Sequence, residues 1–515
     1  MIASTKNYLD NLLIFLESKR GFVLISILMC LFTFVGLYFM SNFERANDDW
    51  EHLAAMRSFA DAPFDPTHPY SFDTEYSHLF TPYHFLWGLV ARILNISPFF
   101  LSPFIGLLNV FIFIISVRCF ANKFLKNSNL ASLLLLTMLF LWLLAPGYSG
   151  FYQFSHLMKT AIYPYRLAFS LSLISLSFFP NRTLYKNNIP LVLIVPIIFL
   201  IHPLTGVFLI ITLATQIWFL EKTELKTKVL LMTVLVISLA FVVLWPFFPV
   251  LSTIMDFNSF KNSSFSGQFR EFYQGQFVYC VLPSIPGIYF LIKYFPNDHR
   301  IKTIGTSLLI FLIIYTFNFF ILETTLGGRV MVYIVFSLQI LIILGFSHIE
   351  GTRELNILKK IYYLGIFILA LPQLFISWKS MSFIRDMENS KPLGHYSNFN
   401  HVRRLEPLAD KIERNKILVA PINESWILPT ITGVKVHAIK HSDPFVDPYH
   451  FKLRNDVIES FYNNDCDPGI LINQKTQFDY ILIPKGKSIL KVQESYPNLT
   501  IIYADSAYTL MSKRE

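Results

Sequence analysis

Cysteine is scarce and poorly placed for pairing. Of the four in 515 residues, Cys30 and Cys280 fall in apolar runs, Cys119 lies at the edge of another, and Cys466 stands alone in the C-terminal stretch. No disulfide is expected. The sequence also lacks a glycine-rich nucleotide loop, a zinc-ligand spacing and a nucleophile motif, which disfavours a soluble nucleotide-sugar donor. It has no internal repeat and no low-complexity segment. Apolar residues make up 53% of the chain and aromatic residues 16%, with mean hydropathy +0.48. Runs of about 20 apolar residues recur, so the expected class is an α-helical polytopic membrane protein. The formal charge of +9 is spread over short loops between those runs. That dispersal serves orientation by the positive-inside rule, and nucleic-acid binding is not expected.

The first apolar run, Gly21 to Met40, is longer than a signal-peptide core and has no small-residue cleavage site, so a retained first helix is expected. At about 1.5 Å per residue it spans a hydrocarbon core of about 30 Å. An acidic stretch follows at once. Between Asn42 and Ser97 stand eight acids (Glu44, Asp48, Asp49, Glu51, Asp61, Asp65, Asp73, Glu75) against three bases (Arg45, Arg57, Arg92), in a chain that is basic as a whole. Inside it, Thr81 to Asn95 is 15 residues long and carries His84 and Arg92, which suits a helix lying in the membrane interface.

With that segment excluded, further spans are expected at 98–117, 130–146, 161–179, 189–201, 204–220, 229–248, 277–294, 303–322, 330–348 and 361–379, giving about 11 in all. Alternating them from a cytoplasmic N-terminus places 17 Lys and Arg inside and seven in outer loops, the bias the rule requires. The acidic stretch 42–97 and the C-terminal part then share the outer side. From Ser380 charge becomes frequent. Strand-length runs at Lys416–Ala420, Asp479–Ile483 and Thr500–Tyr503, with a helical stretch at Val457–Tyr462, predict a small soluble α+β domain over 380–515, set against a transmembrane catalytic domain over 1–379.

Two adjacent carboxylates beside a hydrophobic span, Asp48 and Asp49, can deprotonate a hydroxyl or hold a divalent metal where a lipid-linked head group is presented. His52 follows at helical spacing, so Asp48, Asp49 and His52 offer either a base with a hydrogen-bonding neighbour or ligands for Mg2+ or Mn2+. The base reading is preferred. Lys159, Arg166, His202, Arg270 and Arg329 gather on the same expected face, where cations would stabilise a departing phosphate. Two broken apolar segments meet there, at His202-Pro203. The plainer alternatives are a solvated acidic loop and snorkelling interface anchors. In the tail, His437, His441, Asp443, Asp447 and His450 suggest a sugar or metal surface, although two Asp-Pro steps are turn chemistry.

A first span followed by Asp48 and Asp49, an amphipathic segment opening Thr81-Pro82-Tyr83-His84, a span ending in Arg118 and a broken helix pair together resemble the GT-C superfamily of integral membrane glycosyltransferases, over residues 1 to about 350. The resemblance implies a polyprenyl-phosphate-linked sugar as donor, a glycan or lipid-linked acceptor, and inverting transfer on the outer face. It also gives Asp48 or Asp49 the role of base or metal ligand. A bacterial inner-membrane enzyme of surface-glycan assembly, with its C-terminal domain in the periplasm or exterior, is the form favoured. A lipid-linked-glycan flippase and a non-enzymatic scaffold are the rivals. A flippase calls for charges deep in several spans and paired broken helices, whereas this chain has one break.

Overall fold

A computed structural model describes residues 11–12, 14–39, 48–143, 150–179, 189–221, 223–248, 276–321, 325–348, 353–379, 381–392, 397–439 and 448–513. In chain order the main helices are α1 (Lys19–Phe39), α2 (Asp48–Asp61), α3 (Pro82–Leu94), α4 (Pro98–Lys123), α5 (Leu130–Phe140), α6 (Pro164–Phe178), α7 (Ile189–Ile201) and α8 (Pro203–Trp218). They continue as α9 (Leu225–Ala240), α10 (Pro286–Tyr294), α11 (His299–Thr316), α12 (Thr325–His348), α13 (Arg353–Lys379), α14 (Asn398–Ala409), α15 (Ile422–Thr432) and α16 (Pro448–Asn463). Five strands are β1 (Ile417–Val419), β2 (Lys435–Val436), β3 (Tyr480–Pro484), β4 (Leu499–Ala504) and β5 (Tyr508–Lys513).

A helix occupies each expected span, but their lengths differ. Among the described residues five stretches are long and apolar enough to cross a membrane: Lys19–Phe39, Pro98–Lys123, Leu225–Leu244, Gly328–His348 and Ile357–Lys379. A sixth arises if Gln276–Ser284 and Pro286–Tyr294, bent by 50°, form one span. Leu130–Phe140, Val192–Ile201 and Pro203–Trp218 are apolar and shorter.

Packing divides the chain into two compact units, and their boundaries do not follow the change of composition at Ser380. The first comprises Met1–Tyr38, Pro103–Trp245 and Phe265–Ile384; the second comprises Phe39–Ser102, Pro246–Ser264 and Arg385–Glu515.

In the first unit α12 is the central helix. Met331, Val335, Leu338, Ile340, Leu341 and Ile343 are all buried, which is why its sequence is apolar around the whole circumference. Helix α10 approaches it closely at Gly287, where an added Cβ would lie 2.4 Å from the Leu338 carbonyl oxygen. The outer helices instead carry apolar faces outward, with Leu28 and Leu31 on α1, Val236 on α9 and Phe367 on α13 all more than half exposed. Apolar area on this scale belongs against lipid. The chain is an integral membrane protein.

The second unit holds a sheet of order β2-β1-β3-β5-β4. Strand β1 pairs in parallel with β2 and β3, and β5 is antiparallel to β3 and β4. Parallel neighbours need crossover helices, and α15 joins β1 to β2 in that way, closed by Gly433 at φ 74°. The core beneath the sheet includes Val419, Ile458, Phe461, Leu471, Ile481, Ile483 and Met511. Helices α2 and α3 belong to this same unit. Helix α15 packs on α2, and Thr430 Oγ1 donates to the Trp50 carbonyl at 3.3 Å. The segment after α2 lies along β2: Val436 N donates to the Tyr70 carbonyl at 2.9 Å, and the buried Lys435 amine donates to Thr67 Oγ1 at 2.7 Å and to the His68 carbonyl. Burial lowers the Lys435 pKa to about 8. Asp61 closes the far end of α2 by pairing with Arg57 and Arg414, each at 3.0 Å.

Candidate active site

Helix α2 begins with three acids in its first turn, Asp48, Asp49 and Glu51, where the helix dipole favours negative charge. Helical rotation separates the two candidates. Asp49 turns inward with Trp50 and is fully buried, while Asp48 and His52, four residues apart, share a half-buried face. Trp50 fixes that rotation by stacking on Phe99, centroids 5.5 Å apart. Gly88 of α3 brings the two helices together, because a Cβ there would meet the Phe59 Cβ at 2.5 Å and the Met56 carbonyl at 2.7 Å.

This close approach brings His84 of α3 to His52. Nδ1 of His52 and Nε2 of His84 are 3.0 Å apart, the rings lie at 20° to one another, and Nδ1 of His84 is 2.9 Å from Thr81 Oγ1. Burial lowers the His52 pKa to about 4, against an upward pull from Asp48 and with a further push down from His78. His84 is held well below the usual imidazole range by burial, then by His52 and His78, with the Leu79 carbonyl acting the other way. Both rings are neutral at neutral pH. Among the described residues no three His, Cys, Asp or Glu side chains gather as a metal-holding group. Asp48 lies one helical turn from His52, and its charge acts on the His52 ring.

The candidate cations belong to the first unit. Arg166 lies in the first turn of α6 and is 2% exposed. Its Nη2 donates to the Phe151 carbonyl at 2.9 Å and to Thr160 Oγ1 at 2.7 Å, while Nε and Nη1 have no acceptor among the described residues. Its guanidinium carbon stands 4.8 Å over the Tyr165 ring, and that ring is 5.9 Å from His202. His202 caps α8 by accepting the Thr205 amide on Nδ1 at 3.2 Å, so its ring proton sits on Nε2 when it is neutral. Thr205 Oγ1 lies 2.8 Å from the Tyr333 hydroxyl. Tyr165 therefore joins Arg166 and His202 into one polar cluster. Lys159 is half-buried in the turn before α6, and Arg329 is exposed at the start of α12. Arg270 lies outside the described residues.

Of the tail segment, His441, Asp443 and Asp447 also lie outside the described residues. His437 stacks near Phe72, centroids 5.8 Å apart, and Arg454 covers that ring and pairs with Asp73. His450 is exposed in the first turn of α16. Sequence reasoning missed the pairing of His84 with His52. The contact joins residues 32 apart on different helices, and the one local signal, Thr81 three residues before His84, reads as an ordinary helix start.

No protein-family model and no curated protein matches the sequence. Solved structures do match. The chain is similar to the arabinofuranosyltransferase AftD from Mycobacteria (TM-score 0.56, 12% identity, covering 97% of this chain and 40% of AftD). It is similar to the archaeal oligosaccharyltransferase AglB from Archaeoglobus fulgidus, solved with an inhibitory peptide and a dolichol-phosphate (TM-score 0.52, 11% identity, 90% of this chain and 69% of AglB). It is similar also to ArnT from Cupriavidus metallidurans in the apo state (TM-score 0.50, 12% identity, 96% of this chain and 98% of ArnT). The chain thus spans about two fifths of the length of AftD and nearly all of ArnT. With its acid-headed α2 after α1, its α7–α8 pair interrupted at His202 and its C-terminal sheet, the chain shares the GT-C fold of these structures, a likeness of fold at 11–12% identity.

Proposed function

We propose that this protein is a membrane glycosyltransferase that moves a sugar from a polyprenyl-phosphate donor to a glycan or lipid-linked acceptor, with inversion, on the outer face of a bacterial inner membrane. The observation that carries the reading is the half-buried Asp48 at the head of α2 in a GT-C fold. A base must touch the acceptor hydroxyl, and of the two adjacent acids Asp48 has exposed surface whereas Asp49 is fully buried. Asp48 accepts the hydroxyl proton as the oxygen attacks the anomeric carbon, and the bond from that carbon to the phosphate oxygen breaks. The phosphate leaves with its negative charge. Arg166 supports the donor half of the reading, because a buried guanidinium with two donor nitrogens lacking acceptors among the described residues suits an anion. His202, Lys159, Arg329 and Arg270 are the further candidates for that role.

The test is transfer by purified protein carrying Asp48→Asn or Asp49→Asn. Asparagine keeps shape and hydrogen bonding but accepts no proton, so Asp48→Asn should lower turnover by about 10²-fold or more at unchanged yield. Asp49→Asn should have the smaller effect on turnover. Full activity of Asp48→Asn removes it as the base.

A further inference from the structure

We infer that a small depression between the end of β2 and α16 binds the hydroxyl-bearing edge of an uncharged sugar residue; that this sugar belongs to the acceptor rests on the glycosyltransferase reading. The walls are the segment after α2 at Ser71, the chain leaving β2 at His437, and one face of α16, where Phe451, Arg454 and Asn455 fall at i, i+3 and i+4. This is the carboxyl end of a parallel strand, the end at which open α/β sheets take ligands. Two buried polar atoms of these walls, Nδ1 of His437 and Oδ1 of Asn455, have no partner among the described residues. Buried polar groups are ordinarily hydrogen-bonded, so a pair of them lining one depression calls for a ligand that can bond both.

The chemistry of that ligand follows from what is left over. Nδ2 of Asn455 donates to the Ile439 carbonyl at 2.7 Å, so the remaining amide atom is Oδ1, which only accepts. The His437 ring lies 5.8 Å from that of Phe72 at 23°. Burial lowers its pKa to about 4, with Arg454 adding to the effect and Asp73 opposing it, so the imidazole is neutral at pH 7. Neighbouring hydroxyls, each able to donate and to accept, satisfy Oδ1 and either tautomer of the imidazole nitrogen, whereas a carbonyl has no proton for Oδ1. Charge decides against an anion. The Arg454 guanidinium stands 4.5 Å over the Phe72 ring and is paired with Asp73, to which Ser71 Oγ also donates at 3.2 Å. The positive charge is thus matched within the wall, and a phosphate or uronate would meet the Asp73 carboxylate beside it. Phe451, partly exposed, offers an apolar surface to the C–H face of a sugar ring.

The test is binding of the purified full-length protein in detergent, with no donor present, to an array of uncharged, uronate-bearing and phosphorylated oligosaccharides, followed by saturation-transfer NMR with the tightest binder. Uncharged oligosaccharides should bind in preference to the anionic ones. His437→Phe, which keeps a ring beside Phe72, and Phe451→Ala should each weaken that binding about tenfold at an unchanged melting temperature. In a transfer assay the loss should fall on the KM for acceptor rather than on kcat, as for contacts made equally in ground and transition states. No uncharged oligosaccharide bound, tighter binding of the anionic ones, or full binding by both variants would overturn the inference. Because binding is read without donor, a protein that binds sugar and transfers none keeps the site and loses its acceptor role together with the glycosyltransferase reading.

Discussion

Burying a guanidinium away from water costs several kcal/mol unless a partner compensates, and Arg166 has two oxygen acceptors and no carboxylate among the described residues. Arg166→Met should therefore leave the melting temperature equal or higher, since a buried charge is replaced by an apolar chain of similar length. It should lower turnover by about 10- to 100-fold, the equivalent of one charge-assisted contact of about 1.5 to 3 kcal/mol. Thermal melts and initial rates on the same preparation check both halves. A second expectation follows from the imidazoles. Their pKa values in the fold lie below that of a free histidine, His52 at about 4, so between pH 6.5 and 4 the unfolded chain binds more protons than the folded one. Stability is fully present above about pH 6.5 and declines as pH falls towards 4. His84→Gln, with nothing to protonate at that position, should flatten the decline in a pH series of melting temperatures.

At the scale of elements, the apolar helices were legible because their physics is local, whereas α14 and α15 in the charged tail were not read. Apolar runs fixed α1 and α4 to α13, Pro at the first position and Asn95 in a left-handed conformation bound α3, and β1, β3 and β4 lie where short apolar runs stand in a charged tail. Strands β2 and β5 were missed: Lys435-Val436 is too short to show a period, and Tyr508–Lys513 mixes polar and apolar residues. Asp48 and His52 were legible as an i, i+4 pair. The pairing of His52 with His84 was not, because it runs through a helix crossing set by Gly88; Arg166 was legible as a candidate cation, but its hydrogen bonds to Phe151 and Thr160, in an irregular turn, were not. The crossing itself can be tested. Gly88→Ala pushes a methyl into α2 backbone and side chain, so it should cost about 1 to 3 kcal/mol of stability and lower activity by displacing the Asp48 face. Unchanged melting and rate would mean that α2 and α3 do not meet as described.

For the whole molecule, composition and packing give different divisions. Composition separates a greasy part from a charged part near Ser380, whereas packing joins the acid-bearing α2 and α3 to the C-terminal sheet through Thr430, Tyr70, Lys435 and Arg414. The acid-bearing α2 is thereby held in the same unit as the C-terminal sheet. The most direct measurement reconstitutes the purified wild-type protein with a polyprenyl-phosphate sugar and glycan acceptors, and analyses the product by mass and anomeric configuration. The expected product is a new glycosidic bond of inverted configuration that Asp48→Asn fails to form. Donor carried across the bilayer with no bond formed, from wild type and variant alike, would contradict it.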